Sequence, residues 1–385
     1  LDVIMENRLI VGLHKDQCGR VDPYLQVYRR ILEYNGIGNV FLEASQPDFW
    51  EIVAKLDLII FHWVYIDRDQ QMAESLIPVI EKEMKIKCFP NWSTFWHYNS
   101  KIKQYYLLKN HDFPVIETYI FWERDEAEKW IDGVEFPLIF KLNRGALSQD
   151  VVLVNDRRQA KRLISHMFGK GIVPGGVPGS RDYHSRRSNL CRTIRHKAWI
   201  LKKKVQGDYT ELWWQKEKNY IFFQKFLPHN LHTTRVTIIG DRAFAFNIQT
   251  VEGDFRAYDM EQIDLDRRKI NINCIKIAFN ISNTLSFQCM AYDFLFNENN
   301  EPQICEMGYT SYAMDIYKCA GYWDSGLDWH EGHFWPQYLQ LIDLLDLPEL
   351  RQPQIDVKFC SAPLKVNTKL CSKGKIKMIS PFRGS

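Results

Sequence analysis

Apolar positions in the first hundred residues alternate between two periods. Arg8-Leu9-Ile10-Val11-Gly12-Leu13 is a short apolar run ending near a glycine, which predicts a strand. Tyr24, Val27, Tyr28, Ile31 and Leu32 then recur at helical spacing, and Asn35-Gly36 supplies a helix stop. Val40-Phe41-Leu42, the buried run Leu58 to Phe61, and Ile86-Lys87-Cys88-Phe89 predict three further strands. A helix over 74–84, with Pro78 in its early part, separates the last two. Strands alternating with helices predict a parallel, doubly wound sheet.

From Lys101 the pattern changes. A helix over 101–109 leads to a strand over 115–122, a helix over 125–131 and a strand over 137–142. A loop over 144–149, a strand over 151–154 and a helix over 157–167 complete a small α+β unit. Residues 169–218 read as an insertion, Gly/Pro-rich and without period over 169–179. A strand resumes over 220–226. Runs over 236–239 and 243–248 flank Gly240-Asp241 as a hairpin. A helix over 271–284, a second hairpin over 288–306 and a helix over 335–345 follow. The expected fold class is therefore α/β and α+β. Residues 1–100 form an N-terminal Rossmann-like domain, 101–226 a small lobe carrying the insertion, 227–347 a large lobe, and 348–385 a basic tail. No internal repeat is visible. Met5 reads as a natural start, and Arg383-Gly384-Ser385 as the stub of a purification tag.

Composition adds few constraints. The chain has 385 residues, 45% hydrophobic and 25% charged, enough for two or three domains with real cores. A net charge of +3 names no partner. Nine cysteines, an odd number with no C-x-x-C pair, read as buried free thiols of a cytoplasmic protein. No apolar run approaches the ~20 residues that span a bilayer.

Four elements carry candidate chemistry. Ser100-Lys101 opens a helix. Phe136 to Lys141 is a strand ending in lysine, followed by a loop of small residues with Gly145 and Ser148. Gln224-Lys225-Phe226-Leu227 is an apolar strand running into Pro228. Asp293 and Glu306 sit on the two arms of one hairpin, at positions that let them face each other. Together these suit a nucleoside triphosphate. Two lysines grip phosphates from two sides, small residues offer backbone N–H groups, and the strand edge offers polar groups to a base. Two carboxylates can share Mg2+, a hard cation that takes oxygen ligands.

The order and spacing of the four elements resemble the ATP-grasp superfamily over most of residues 1–345. The resemblance implies an ATP-grasp fold, with two α+β lobes sandwiching ATP behind the N-terminal parallel-sheet domain. It implies ATP and Mg2+ as cofactors, with Lys101 and Lys141 on the phosphates and Gln224 to Leu227 as the adenine hinge. Asp293 and Glu306 match the magnesium carboxylates, and Arg235 and Arg256 would stabilise the transferring phosphoryl group. The implied reaction is carboxylate–amine ligation through an acyl phosphate. Asp254-Phe255-Arg256-Ala257 and Trp329-His330-Glu331-Gly332 resemble ATP-grasp proteins associated with bacterial surface-polysaccharide biosynthesis, which suggests a uronic-acid-containing saccharide as substrate. Two departures stand out. Gly308 occupies the position where the superfamily usually has asparagine, and Leu147 and Asp150 are poor phosphate neighbours.

Other signals stay open. The basic stretch Arg181 to Lys204 reads as a docking surface for a polyanion, as a nucleic-acid contact, which no recognisable module supports, or as a solvated loop. His330-Glu331-Gly332-His333 lacks the H-E-x-x-H spacing of zinc sites. His62 falls near a strand end where open α/β sheets bind ligands, though a core role is as compatible. A homodimer is the oligomeric expectation. Alternatives to the ligase are a degenerate ATP-grasp protein that binds nucleotide or polyanion without ligating, and an ATP-grasp kinase.

Overall fold

The computed structural model describes residues 9–15, 23–63, 67–145, 150–180, 215–250, 254–257, 263–310 and 312–355. The basic stretch Arg181 to Lys204, together with Leu147 and Ser148, lies outside the described residues.

The first sheet holds β1 (Ile10–His14), β2 (Gly38–Leu42), β3 (Leu58–Phe61) and β4 (Lys87–Phe89) in the order β2-β1-β3-β4. Every pairing in it is parallel. Helices α1 (Pro23–Tyr34), α2 (Phe49–Val53) and α3 (Asp67–Pro78) connect the strands, and α3 runs on into a π-helical turn over Val79–Glu83. β3 is buried along its whole length, as a strand covered on both faces should be. At Gly12 in β1 the neighbouring side chains pack closely: a Cβ there would lie 2.4 Å from Leu56 Cδ1, and that side chain would have to turn. α1 stops where Gly36 adopts a φ of +69°.

α4 (Trp92–Phe95) and α5 (Lys101–Asn110) lead into the second sheet. It contains β5 (Thr118–Phe121), β6 (Leu138–Phe140), β7 (Val152–Val154) and β8 (Ile221–Lys225) in the order β5-β8-β6-β7, all antiparallel. α6 (Arg124–Ile131) and α7 (Arg157–Met167) pack on it. Its core is separate and includes Phe140, Phe222 and Phe223.

The third sheet has seven strands. β9 (His232–Ile239) and β10 (Arg242–Gln249) form one hairpin, β12 (Cys289–Phe296) and β13 (Pro302–Gly308) another. β14 (Gly321–Asp324) and β15 (Trp329–Glu331) extend one edge, and β11 (Ile263–Asp264) pairs with β10. Helices α8 (Ile272–Leu285), α9 (Ala313–Lys318) and α10 (Pro336–Leu345) accompany it. Core side chains of this sheet and of the first sheet form one continuous cluster. The N-terminal parallel sheet and the large antiparallel sheet thus share a core, while the small antiparallel sheet has its own. Among the described residues no helix is long and apolar enough to cross a membrane.

Candidate functional site

A cavity open to solvent lies between the second and third sheets. Residues from the four singled-out elements line it, including Lys101, Lys141, Gln224, Asp293 and Glu306.

One wall is a row across three antiparallel strands. Arg235 on β9 pairs with Asp293 on β12, and Asp293 pairs with Glu306 on β13. Directly opposed residues share a face of a sheet, so the three side chains stand side by side. Arg235 clamps Asp293 with Nε to Oδ1 at 2.7 Å and Nη2 to Oδ2 at 2.7 Å, a bidentate pair. Burial alone would lower the Arg235 pKa, but Asp293, Glu306 and Asp315 raise it well above its ordinary value. Lys101, from the first turn of α5, reaches Glu306 Oε1 at 3.2 Å. Burial would raise the Glu306 pKa, yet Lys101, Lys141 and Arg235 hold it below the usual carboxylate range. Glu306 is therefore an anion, as cation binding requires.

A bulge shapes this wall. The register shifts between Asp293 and Phe294, whose partner is Ile304, so Cys305 has no cross-strand mate. Consecutive strand residues normally point to opposite faces, but the extra residue of a bulge breaks that rule. Cys305 and Glu306 accordingly both line the cavity. The Cys305 thiol lies 3.3 Å from Lys141 Nζ. Burial pushes its pKa up despite that neighbour.

Lys141 follows β6 and is 5% exposed. The turn after it is bound to the start of α5. Ser100 Oγ and Ile102 N both donate to Asn143 Oδ1 at 3.0 Å, and Lys101 N donates to Asn143 O. Gly145 lines the cavity with a φ of +128°. Its N–H donates to Asn99 Oδ1 at 3.3 Å, and its carbonyl accepts from Lys101 Nζ at 3.0 Å. The amide that the sequence reading offered to a phosphate already has a protein acceptor. Asp150, expected to repel phosphate, holds the Gly175 N–H with both carboxylate oxygens, at 2.9 and 2.7 Å.

At the hinge, Gln224 is buried and its Nε2 donates to Thr118 Oγ1 at 3.2 Å. Lys225 is exposed, with its N–H on Glu117 O. Phe226 meets Phe255 edge to face, at 5.8 Å between centroids. Leu227 O accepts from Asn230 Nδ2 at 3.3 Å, and the same amide exchanges bonds with the backbone of Phe296. Asn230 thereby fastens the hinge to β12. Across the cavity, Arg256 takes both oxygens of Asp254 at 2.8 and 2.7 Å and reaches Val151 O at 3.1 Å. It links the loop after β10 to the strand that follows the small-residue loop.

The structure thus brings Arg256, Lys101, Lys141, Gly145, Gln224 to Leu227, Asp293 and Glu306 to one cavity, and Arg235 joins them through its bonds to Asp293. It leaves the histidines at 330 and 333 elsewhere. His330 Nε2 pairs with Asp324 at 2.6 Å, and His333 Nδ1 lies 2.8 Å from Tyr317 O. His62 stacks on Tyr24 at 4.3 Å. Sequence reasoning missed Asn143, Asn230 and Cys305. Asparagine at a loop start is a cap or turn residue anywhere, and the bulge that turns Cys305 inward has no local signature.

Residues 98–173 match the sequence model of the RimK-like ATP-grasp domain. No curated protein sequence matches the chain. Among solved structures, N5-carboxyaminoimidazole ribonucleotide synthetase from Thermotoga maritima is similar at a TM-score of 0.53 and 11% identity, covering 91% of this chain and 78% of that one. Biotin carboxylase from Campylobacter jejuni, complexed with a β,γ-ATP compound, is similar at 0.52 and 11%, covering 88% and 71%. A RimK domain ATP-grasp protein from Sphaerobacter thermophilus gives 0.46 and 13%, covering 77% and 90%. The chain has the ATP-grasp fold, and its second sheet begins within the segment that matches the RimK-like ATP-grasp domain.

Proposed function

We propose that the chain is an ATP-dependent ligase that joins a carboxylate to an amine through an acyl phosphate. The observation that carries this reading is the single cavity where two lysines from separate elements face a strand row of Arg235, Asp293 and Glu306. The similar solved structures include a carboxyaminoimidazole ribonucleotide synthetase and a biotin carboxylase.

In this reading Gln224 to Leu227, with the Phe226–Phe255 pair, would hold adenine, and Lys101 and Lys141 would hold the phosphates. The two paired carboxylates are hard oxygen donors of the kind Mg2+ takes, and Glu306 is charged, so Asp293 and Glu306 fit the ion. Bound there, Mg2+ would screen the charge of the phosphates. Both oxygens of Asp293 are on Arg235, but each keeps a second lone pair that could reach the ion. The N–H groups of the Arg235 fork that Asp293 does not use would be open to a phosphoryl oxygen. A substrate carboxylate attacks the γ-phosphorus, ADP departs, and an amine displaces phosphate from the acyl carbon. No protein nucleophile takes part. The chain's work is alignment and charge neutralisation.

Two finer readings belong here. A uronic-acid-containing saccharide as the carboxylate rests on the resemblance at Asp254 to Ala257 and Trp329 to Gly332. The alternative of a nucleotide-binding protein without turnover is favoured by the closed Arg235–Asp293 pair and by Gly308.

The test is release of ADP and phosphate from Mg·ATP across a panel of carboxylates and amines. The ligase reading expects both products only when a carboxylate and an amine are present together. A phosphorylated product formed without amine identifies a kinase. Intact nucleotide binding with no turnover across the panel identifies a binding protein.

A further inference from the structure

The turn that opens the small-residue loop, residues 143–145, is held by groups that ATP chemistry does not require. Glu217 lies just after the 181–214 segment and is 8% exposed. Its Oε2 accepts the N–H of Asn143 at 3.1 Å, and its Oε1 accepts the next N–H, of Arg144, at 3.1 Å. Tyr220 Oη accepts the Asn143 N–H at 2.8 Å and donates to Glu217 Oε2. One buried carboxylate thus takes two successive backbone donors. This is how a backbone turn binds an anion, with the anion supplied by the chain.

Glu217 is fixed from behind. Its own N–H and C=O pair with Ile172 at 2.8 and 2.9 Å, joining the two stems on either side of 181–214. Gly171 lets them approach: a Cβ there would lie 2.8 Å from Glu217 O. The first stem also holds the far end of the loop, where Gly175 N–H binds Asp150. The second binds the N-terminal sheet's unit, where Asp67 takes the Gln215 N–H at 2.6 Å and the Arg144 guanidinium. The joined stems therefore grip the loop at both ends.

We propose that Glu217 is a positioning residue for the nucleotide phosphates, setting the root of the phosphate loop through its two backbone bonds. The N–H groups of residues 143–145 are all taken by protein acceptors. They orient the turn, and among the described residues phosphate contacts fall to Lys101 and Lys141. The assignment rests on the nucleotide reading above.

The test measures dissociation constants of Mg·ATP and of adenosine for the full chain and its Glu217→Gln variant. Glutamine keeps the shape but turns one acceptor into a donor that faces an N–H. A charged hydrogen bond of this kind corresponds to at least about tenfold in affinity. The assignment expects that loss for Mg·ATP and an unchanged constant for adenosine, which does not touch the loop. Tyr220→Phe leaves both carboxylate–backbone bonds in place and should shift Mg·ATP by no more than about threefold. If Glu217→Gln does not fold, Glu217→Asp, which withdraws the charge by one methylene, carries the same expectation. Equal loss for ATP and adenosine, or no loss for ATP, overturns the assignment. Failure of the unsubstituted protein to bind Mg·ATP overturns the nucleotide reading, and this one with it.

Discussion

Gly308 lies two residues beyond Glu306 on β13, past the bulge, so a side chain there would share the carboxylate's face. A Cβ at this position meets nothing within 4 Å. The space an asparagine would fill is present, and only the amide is missing. Gly308→Asn should therefore fold without penalty, since glycine within a strand costs about 0.5–1 kcal/mol relative to alanine. It should also lower the Mg2+ concentration needed for half-maximal nucleotide binding. An unchanged Mg2+ dependence would show that this position does not limit metal binding. His97 makes a different residue-level case. It is fully buried, and burial, aided by the charge of Lys103, pulls its imidazole down to about 3. The unfolded chain binds this proton near pH 6.5, so the stabilisation is complete above pH 6.5. It is lost progressively as pH falls toward 3, at up to about 1.4 kcal/mol per unit. Urea unfolding at pH 6.5 and pH 5 should show the unsubstituted protein losing about 1.6 kcal/mol more than His97→Leu. Parallel losses would contradict the sign worked out here.

At the scale of elements, most strands and helices were legible because their apolar positions keep one period over several residues. β12 and β13 are an example, and so is the facing of Asp293 and Glu306 across them. The bulge was not legible, because nothing in Ile304-Cys305-Glu306 distinguishes a bulged strand from a regular one. β14, β15 and α9 were also missed. They are three to six residues long, too short for a period to declare itself. The contacts of Glu217 were illegible for another reason. They join residues 73 and 74 apart in sequence, a distance no local pattern spans. The β9–β10 hairpin gives a test of element packing. Gly240 has a φ of +53°, and a Cβ there would lie 2.2 Å from Asp343 Oδ2, in a carboxylate that Arg242 Nη1 holds by Oδ1 at 2.9 Å and Oδ2 at 3.0 Å. Gly240→Ala should cost about 1–2 kcal/mol from the backbone alone, read by denaturant midpoint. A cost near zero would mean that the turn and α10 move apart freely.

Across the whole molecule, the two cores divide the work. The N-terminal and large sheets share one apolar cluster, and the row of Arg235, Asp293 and Glu306 stands on that shared body. The small sheet, with its own core, carries Lys141 and the hinge strand. The cavity therefore opens between a large body and a smaller one, bridged by Arg256, Asn230 and Lys101. Charge complementarity across that gap, lysines on one side and carboxylates on the other, is the central feature of the account. It is tested most directly by titrating the protein with ATP in the presence and absence of Mg2+, alongside Lys141→Met, which keeps the apolar stem and removes the ammonium. The account predicts one Mg2+-dependent site per chain, weakened at least about tenfold by the substitution, the worth of a charged hydrogen bond. Binding that ignores Mg2+ and Lys141, or no binding at all, would contradict it.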